Sequence, residues 1–311
     1  MIVAISLPYN ARYHKEFGAQ LWFFYKQLGD FANHLDHLTF IGWEKNHISP
    51  ELLPEICWEK EASTHEKLEF SIPSAETVKK ANVHYVDQSI FEELEKEFKS
   101  NNLVWQYLMT REHAPLVDFL RKTFEKIQQT ESIDAIILNC NLPSAKAAAK
   151  EFGIPVIHTE IGPTRKPQYF QTAYWDLCGV NGNTEAAERF EKAADELDET
   201  LLSKKELLAL FMSGKDFAEA NAIADAPDYE VGVAGQVDDD SNIIAYSNGF
   251  NNLEVLRYAN FHFGEKNVLF RSHPAAQSYF TATLDRSPST VHFFKRIEKL
   301  SIKTISFKMF L

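Results

Sequence analysis

In this chain, polar and chemically usable residues gather just past three apolar runs. Ile154-Pro-Val-Ile-His158 leads into Thr159, Glu160 and Ile161-Gly-Pro-Thr-Arg-Lys-Pro167, so a carboxylate, a Gly-Pro turn and the cations Arg165 and Lys166 sit together. Tyr229-Glu-Val-Gly-Val-Ala-Gly235 leads into Gln236, Val237 and the aspartates Asp238, Asp239 and Asp240. Asn267-Val-Leu-Phe-Arg271 leads into Ser272, His273 and Pro274. Each apolar run reads as a buried strand. Each cluster then falls at a strand's carboxyl end, where open parallel sheets bind ligands.

Each cluster also has a plainer reading. Glu160 is a functional candidate by position, or one half of an Arg/Glu pair in a solvated loop. The aspartate run caps the next helix through Asp240 or Ser241, holds Mg²⁺, or supplies a reactive carboxylate; spacing alone leaves all three open. Pro274 forces His273 into an extended or turn conformation. A helix starting at Ala275-Ala-Gln-Ser-Tyr279 would offer phosphate its N-terminal N–H groups, although a single histidine is more often structural. His14, His34, His37 and His113 lack metal-ligand spacing, as do Cys57, Cys140 and Cys178, so no histidine or cysteine metal site is expected. GxSxG, Walker and GxGxxG patterns are missing from the sequence, which argues against a serine hydrolase, a P-loop NTPase and an ordinary dinucleotide oxidoreductase.

The elements that must carry these clusters follow from periodicity. Strands are expected at Ile2–Leu7, Leu38–Trp43, Val83–Val86, Ile133–Leu138 and Ile154–His158. Helices are expected over about residues 14–28, at Ser89–Lys99, and at Ala114–Gln129 with Leu116, Phe119, Leu120 and Phe124 at core spacing. Pro143 opens a helix to Phe152 that Gly153 caps, completing a βαβ unit. Residues 44–75 show little periodicity. Glu185–Met212 reads as a charged helical connector. A second strand–helix–strand unit follows, with Leu253, Leu256 and Tyr258 near helical spacing between its strands. The expected fold is therefore α/β with a mostly parallel sheet up to about residue 180. The last segment, Leu300–Leu311, ends without a polar close, so the second domain reads as truncated.

With 311 residues the chain exceeds what one core usually serves, which favours two domains. A net charge of −12 argues against nucleic acid as the main partner. Three cysteines, an odd and low number, fit buried thiols in a reducing cytoplasm. Met1–Leu7 is too short for a signal peptide and lacks a basic start. No apolar run reaches the length of a membrane span. The expected location is the cytoplasm.

Taken in order, His158–Pro167 with Gly179-Val-Asn-Gly182, then Gly235–Ser241, then Phe270–Pro274 resemble the retaining β-Kdo glycosyltransferases of capsule and lipopolysaccharide O-antigen assembly. The resemblance covers roughly residues 130–295. It implies a GT-B-like fold of two Rossmann-like domains with a cleft between them. Residues 1–184 would be the acceptor-side domain carrying Glu160, 185–228 the connector, and 229–311 a partial nucleotide-sugar domain. It implies transfer of 3-deoxy-D-manno-oct-2-ulosonic acid (Kdo) from CMP-β-Kdo to a saccharide acceptor, without a metal or other cofactor. Peripheral membrane association would come through other proteins or missing regions. The family's glutamate matches Glu160, its aspartate Asp240 (Asp239 being the one-residue alternative), and its His-Pro pair His273 and Pro274.

Retention by double displacement needs a carboxylate nucleophile and a base for the incoming hydroxyl, here Asp240 and Glu160. His273 would stabilise the CMP phosphate. Arg165, Lys166 and Arg271 are candidates for the Kdo carboxylate, with Gln236, Asp239, Ser272 and Pro274 also on the substrate side. One departure stands out. Past Arg296–Leu300 the family carries a Ser/Thr-Gly loop leading into a helix, where this chain reads Ser301-Ile-Lys-Thr-Ile-Ser306. The alternatives are another nucleotide-sugar transferase or epimerase of the same architecture, an inactive fragment, or a bilobed small-molecule binder.

Overall fold

A computed structural model describes residues 1–7, 38–44, 75–162, 173–197, 229–237 and 240–271. They belong to two compact units, Met1–Leu202 and Ser203–Leu311. The expected helix near residues 14–28, the stretch 45–74, the later part of the expected connector, and everything after Arg271 lie outside the described residues.

The first unit is built on a six-stranded sheet. Its strands are β1 (Ile2–Ser6), β2 (Leu38–Gly42), β3 (Ala81–Tyr85), β4 (Ala135–Asn139), β5 (Val156–Ile161) and β6 (Ala173–Asp176). Their order is β3-β2-β1-β4-β5-β6. All neighbours are parallel except β5 and β6, which pair antiparallel. The order reverses between β1 and β4, as in Rossmann-like sheets, so the carboxyl ends of these strands flank the usual ligand crevice. Val3, Ile5, Phe40, Ile41, Ile136 and Leu138 are buried. Continuous apolar runs of this kind are what a parallel sheet covered on both faces requires.

The described helices of this unit are α1 (Ala75–Lys80), α2 (Ser89–Phe98), α3 (Asn101–Thr110), α4 (Ala114–Gln128), α5 (Pro143–Glu151) and α6 (Ala186–Leu197). The buried face of α4 is Leu116, Leu120, Thr123, Phe124 and Ile127, while Phe119 is only half-buried. At about 100° per residue these five span one face of the helix, and Phe119 lies beyond its edge, about 60° from Leu116. Helix α5 packs against α4 and buries Ala145, Ala148 and Ala149, whose small side chains permit close approach. Pro143 stands in its first turn, and Gly153, at φ +64°, ends it as expected.

Several features differ from the sequence reading, among them the short helix α1, which was not expected. Helix α3 was not expected; Lys99 in the left-handed region breaks α2, and Ser100 restarts the helix by accepting the N–H of Leu103. Strand β6 was also not expected, and pairing with it carries β5 on to Ile161, past the expected end at His158. The two described thiols are not buried, Cys140 being half-buried and Cys178 exposed; Cys57 lies outside the described residues.

The second unit contains β7 (Val231–Ala234), α7 (Ser241–Tyr246), α8 (Asn252–Phe263) and β8 (Val268–Arg271). Strands β7 and β8 pair in parallel, Val231 with Val268 through Ala234 with Arg271. Val233, Leu256, Ala259, Val268 and Phe270 form its core. Tyr258 points outward at 59% exposure; two residues on a helix turn the side chain about 200° away from Leu256. No helix among the described residues is long and apolar enough to cross a membrane.

The burial difference on α4 has a measurable consequence. Leu120→Ala should destabilise the first unit by about 2–5 kcal/mol, and Phe119→Ala by less than half as much. Urea unfolding of the two variants checks the order.

Candidate active site

Glu160 lies near the carboxyl end of β5, half-buried, opposite Tyr174 of β6. It is therefore a strand residue and not part of a solvated loop, because the β5–β6 pairing extends the ladder beneath it. Alternation along a strand places His158 and Glu160 on one face, and the register brings Asp176 and Tyr174 of β6 onto that same face. Across from them the chain leaves β4 through Asn139-Cys140-Asn141 and enters α5.

Cys140 adopts φ +64°, a left-handed conformation costly for a residue with a side chain. Its N–H donates to the Thr159 carbonyl at 3.0 Å. Its carbonyl lies 3.1 Å from His158 Nδ1. Its thiol donates to Glu160 Oε2 at 3.0 Å, with Asn139 Oδ1 a longer alternative at 3.3 Å. A carbonyl only accepts, so His158 carries its proton on Nδ1. Burial holds the imidazole below its ordinary range, and the nearby charge of Lys146 adds to this against the opposing Cys140 bond and Asp176 charge. Its Nε2 is buried and finds no hydrogen-bond partner among the described residues.

The rim is a turn from Asp176 to Glu185, held by Asp176. This carboxylate accepts from the N–H groups of Cys178 (2.8 Å), Gly179 (3.1 Å) and Glu185 (3.1 Å), from the Thr184 hydroxyl (2.6 Å) and from Arg189 Nη2 (2.8 Å). Burial alone would push its carboxyl up. The donors from Thr184, Gly179, Cys178 and Glu185 outweigh that and hold it down at about 2. Asn141 ties the same turn to β4: its Oδ1 accepts the Val180 N–H at 2.9 Å and its Nδ2 donates to the Val180 carbonyl at 2.7 Å. A Cβ on Gly179 would come within 2.8 Å of Asn183 Cβ and 2.9 Å of Asn141 Oδ1, so only glycine fits. Tyr174 completes the rim; its hydroxyl donates to Asn181 Oδ1 at 3.2 Å and accepts the Asn181 N–H at 3.1 Å. Burial pushes its phenol up; the Asn181 bond opposes this, and the charge of Glu160 adds to it.

Asp176, Cys178 and Glu185 bring ligand-type atoms within 4.8 Å of one another. Asp176 already accepts the donors above, and the Cys178 thiol donates to Glu185 Oε2 at 3.0 Å. The group serves to hold the turn.

In the second unit, Asp240 is the N-cap of α7, its Oδ1 accepting the Asn242 N–H at 2.8 Å. Ser241 is thus the first helical residue and not the cap. Asp240 is exposed. The backbone of Gln236 is fixed by Asn252, whose Oδ1 accepts the Gln236 N–H (2.8 Å) and whose Nδ2 donates to its carbonyl (2.7 Å). Arg271 closes β8; its side chain lies outside the described residues, as do Arg165, Lys166, Asp238, Asp239, Ser272, His273 and Pro274. Of the expected site residues, the structure describes the side chains of Glu160, Asp240 and Gln236, in their separate units.

Cys140, Asn141, Tyr174 and Asp176 were not singled out in the sequence. A signal existed for the first two. Asn139-Cys-Asn141 is a polar tripeptide between a buried strand and a helix-opening proline, again at a strand's carboxyl end. Tyr174 and Asp176 gave none, because a four-residue edge strand is too short to show a period.

The buried carboxylate sets an acid limit on stability. A depressed carboxyl stabilises fully above its ordinary value of 3.8 and loses that contribution as pH falls through about 2. The loss is about 2 kcal/mol. Asp176→Asn should remove this part of the acid dependence and leave the protein less stable at pH 7. Thermal melts at pH 7, 4 and 2 test both.

No curated protein sequence matches the chain. Residues 8–185, more than half of it, match the N-terminal domain of the glycosyltransferase 99 family. Glu160 and the whole rim turn fall inside that match, on a sheet of Rossmann-like order, and the chain belongs to the glycosyltransferase 99 family.

Proposed function

We propose that this glycosyltransferase moves Kdo from CMP-β-Kdo to a saccharide acceptor with retention, in capsule or lipopolysaccharide O-antigen assembly on the cytoplasmic side. The observation that carries the reading most is Glu160, half-buried at the carboxyl end of β5 within the family match. In the first step the Asp240 carboxylate attacks the anomeric carbon, the bond to the CMP phosphate oxygen breaks, and CMP departs as a monoester. In the second, Glu160 takes the proton of the acceptor hydroxyl, that oxygen attacks the anomeric carbon, and the ester to Asp240 breaks. Two inversions give retention.

The cap geometry suits Asp240 to this role. One oxygen is held by the Asn242 N–H, which orients the carboxylate and disperses its charge. His273 would meet the departing phosphate, and Arg165, Lys166 or Arg271 the Kdo carboxylate. Gln236, Asp239, Ser272 and Pro274 complete the donor side. The GT-B arrangement, with the two units facing one cleft, belongs to the same proposal. So does peripheral membrane association through other proteins.

Asp240→Asn should abolish transfer yet keep the helix cap, since Asn caps as well as Asp. Asp240→Ala should abolish transfer and also destabilise the second unit by about 1 kcal/mol. Intact-mass and peptide analysis after incubation with CMP-Kdo should find one Kdo residue on Asp240, accumulating further in Glu160→Gln. Transfer by Asp240→Asn at the normal rate would leave Asp240 a helix cap only.

A single phosphate needs no Mg²⁺ clamp of the kind diphosphate leaving groups use. Turnover should therefore survive EDTA. Loss with chelator and recovery with Mg²⁺ would instead make the aspartate run a metal site.

A further inference from the structure

We propose that Cys140 is a positioning residue for Glu160, an inference that rests on reading Glu160 as the acid/base. Every polar group of Cys140 is taken by one of three consecutive residues of β5. The carbonyl meets His158 Nδ1 at 3.1 Å, the N–H meets the Thr159 carbonyl at 3.0 Å, and the thiol meets Glu160 Oε2 at 3.0 Å. The first two contacts fix the backbone at φ +64°, a conformation the residue would not hold unaided. With the backbone fixed there, Sγ is delivered to the carboxylate.

The strain falls at the turn between β4 and the start of α5, where a strand-to-helix connection presents a side chain at the sheet's carboxyl edge. Elsewhere a side chain raised on such a turn serves as a nucleophile. Here the thiol donates to a carboxylate, so its role is to hold one oxygen of Glu160 in a fixed position. The opposite wall is Tyr174, directly across the β5–β6 ladder from Glu160 and fixed by two hydrogen bonds to Asn181. The carboxylate thus has a donor on its β4 side and a fixed ring on its β6 side. A carboxylate that shuttles a proton must present one oxygen within hydrogen-bond reach of the hydroxyl, and freedom to rotate would waste that alignment.

The test uses the full chain and three variants, Cys140→Ala, Cys140→Ser and Glu160→Gln. Turnover is followed as CMP release from CMP-Kdo with water as acceptor. Cys140→Ala should lower kcat about tenfold, the loss expected for one hydrogen bond to a charged group, with KM for CMP-Kdo and Tm unchanged. Cys140→Ser keeps a donor and should restore most of kcat. A second readout does not depend on turnover. In Glu160→Gln, alkylation of Cys140 by iodoacetamide, read by peptide mass, should accelerate several-fold relative to Cys178, whose thiol faces Glu185 instead.

Normal kcat in Cys140→Ala, or failure of Cys140→Ser to recover it, overturns the proposal. So does an unchanged alkylation ratio in Glu160→Gln, which decides the matter even if the wild-type chain releases no CMP. Normal turnover by Glu160→Gln together with accelerated alkylation would mean that the contact exists and that the acid/base reading of Glu160, with the positioning role built on it, is wrong.

Discussion

Asp176 has a side chain only 1% exposed and still carries its charge. A buried carboxylate with no partners would cost several kcal/mol, and the fold meets that by wrapping the next nine residues around it. Three backbone N–H groups, a hydroxyl and a guanidinium converge on its two oxygens. The path from Cys178 to Glu185 is set by this convergence, and so is the entry into α6, whose Arg189 reaches back. Because Asp176 ends β6, the same interaction anchors the strand that faces Glu160. Remove it and the turn that carries Asn181, which holds the Tyr174 ring beside Glu160, loses its central acceptor.

A second device appears in each unit among the described residues. An asparagine side chain imitates a strand partner, giving one N–H···O bond in each direction to a single backbone residue. Asn141 does this to Val180, and Asn252 to Gln236. In both cases the clamped residue lies a few residues past the carboxyl end of a strand, where no further ladder can satisfy its N–H and carbonyl. A primary amide is the one side chain that offers a donor and an acceptor in the planar spacing of a peptide group. Position can thus be fixed without regular structure.

The two candidate carboxylates are held in unlike ways. Glu160 stands on a strand within a six-stranded sheet, with a thiol and a cross-strand tyrosine around it. Asp240 is exposed at a helix start, with one oxygen engaged by the backbone it caps. A half-buried group in a packed sheet is suited to repeated proton transfer in fixed geometry. An exposed cap with one oxygen engaged is suited to forming and losing a covalent bond with little rearrangement around it. This division of labour belongs to the functional reading proposed above, and the cap and strand geometries are compatible with it.

Periodicity and local chemistry in the sequence determined that strands lie near Ile2–Leu7, Leu38–Trp43 and Ile133–Leu138, found at Ile2–Ser6, Leu38–Gly42 and Ala135–Asn139, and gave the helix opened by Pro143 and capped by Gly153 and the strand pair in the second unit. They also placed Glu160 just past an apolar run and a helix cap at Asp240 or Ser241, since both are local properties; the structure decides for Asp240. Tertiary structure alone decided the rest. Tyr174 meets Glu160 only through an antiparallel register set across an 11-residue gap between the strands β5 and β6. Cys140 meets Glu160 only because β4 and β5 lie side by side, with α5 between them in sequence. Asp176 is unremarkable by composition and becomes the centre of a turn through donors from as far along as Arg189. Periodicity reports which face of an element is apolar; it carries no information on which polar groups of different elements share a face, because that depends on strand order and register, which only the closed sheet fixes.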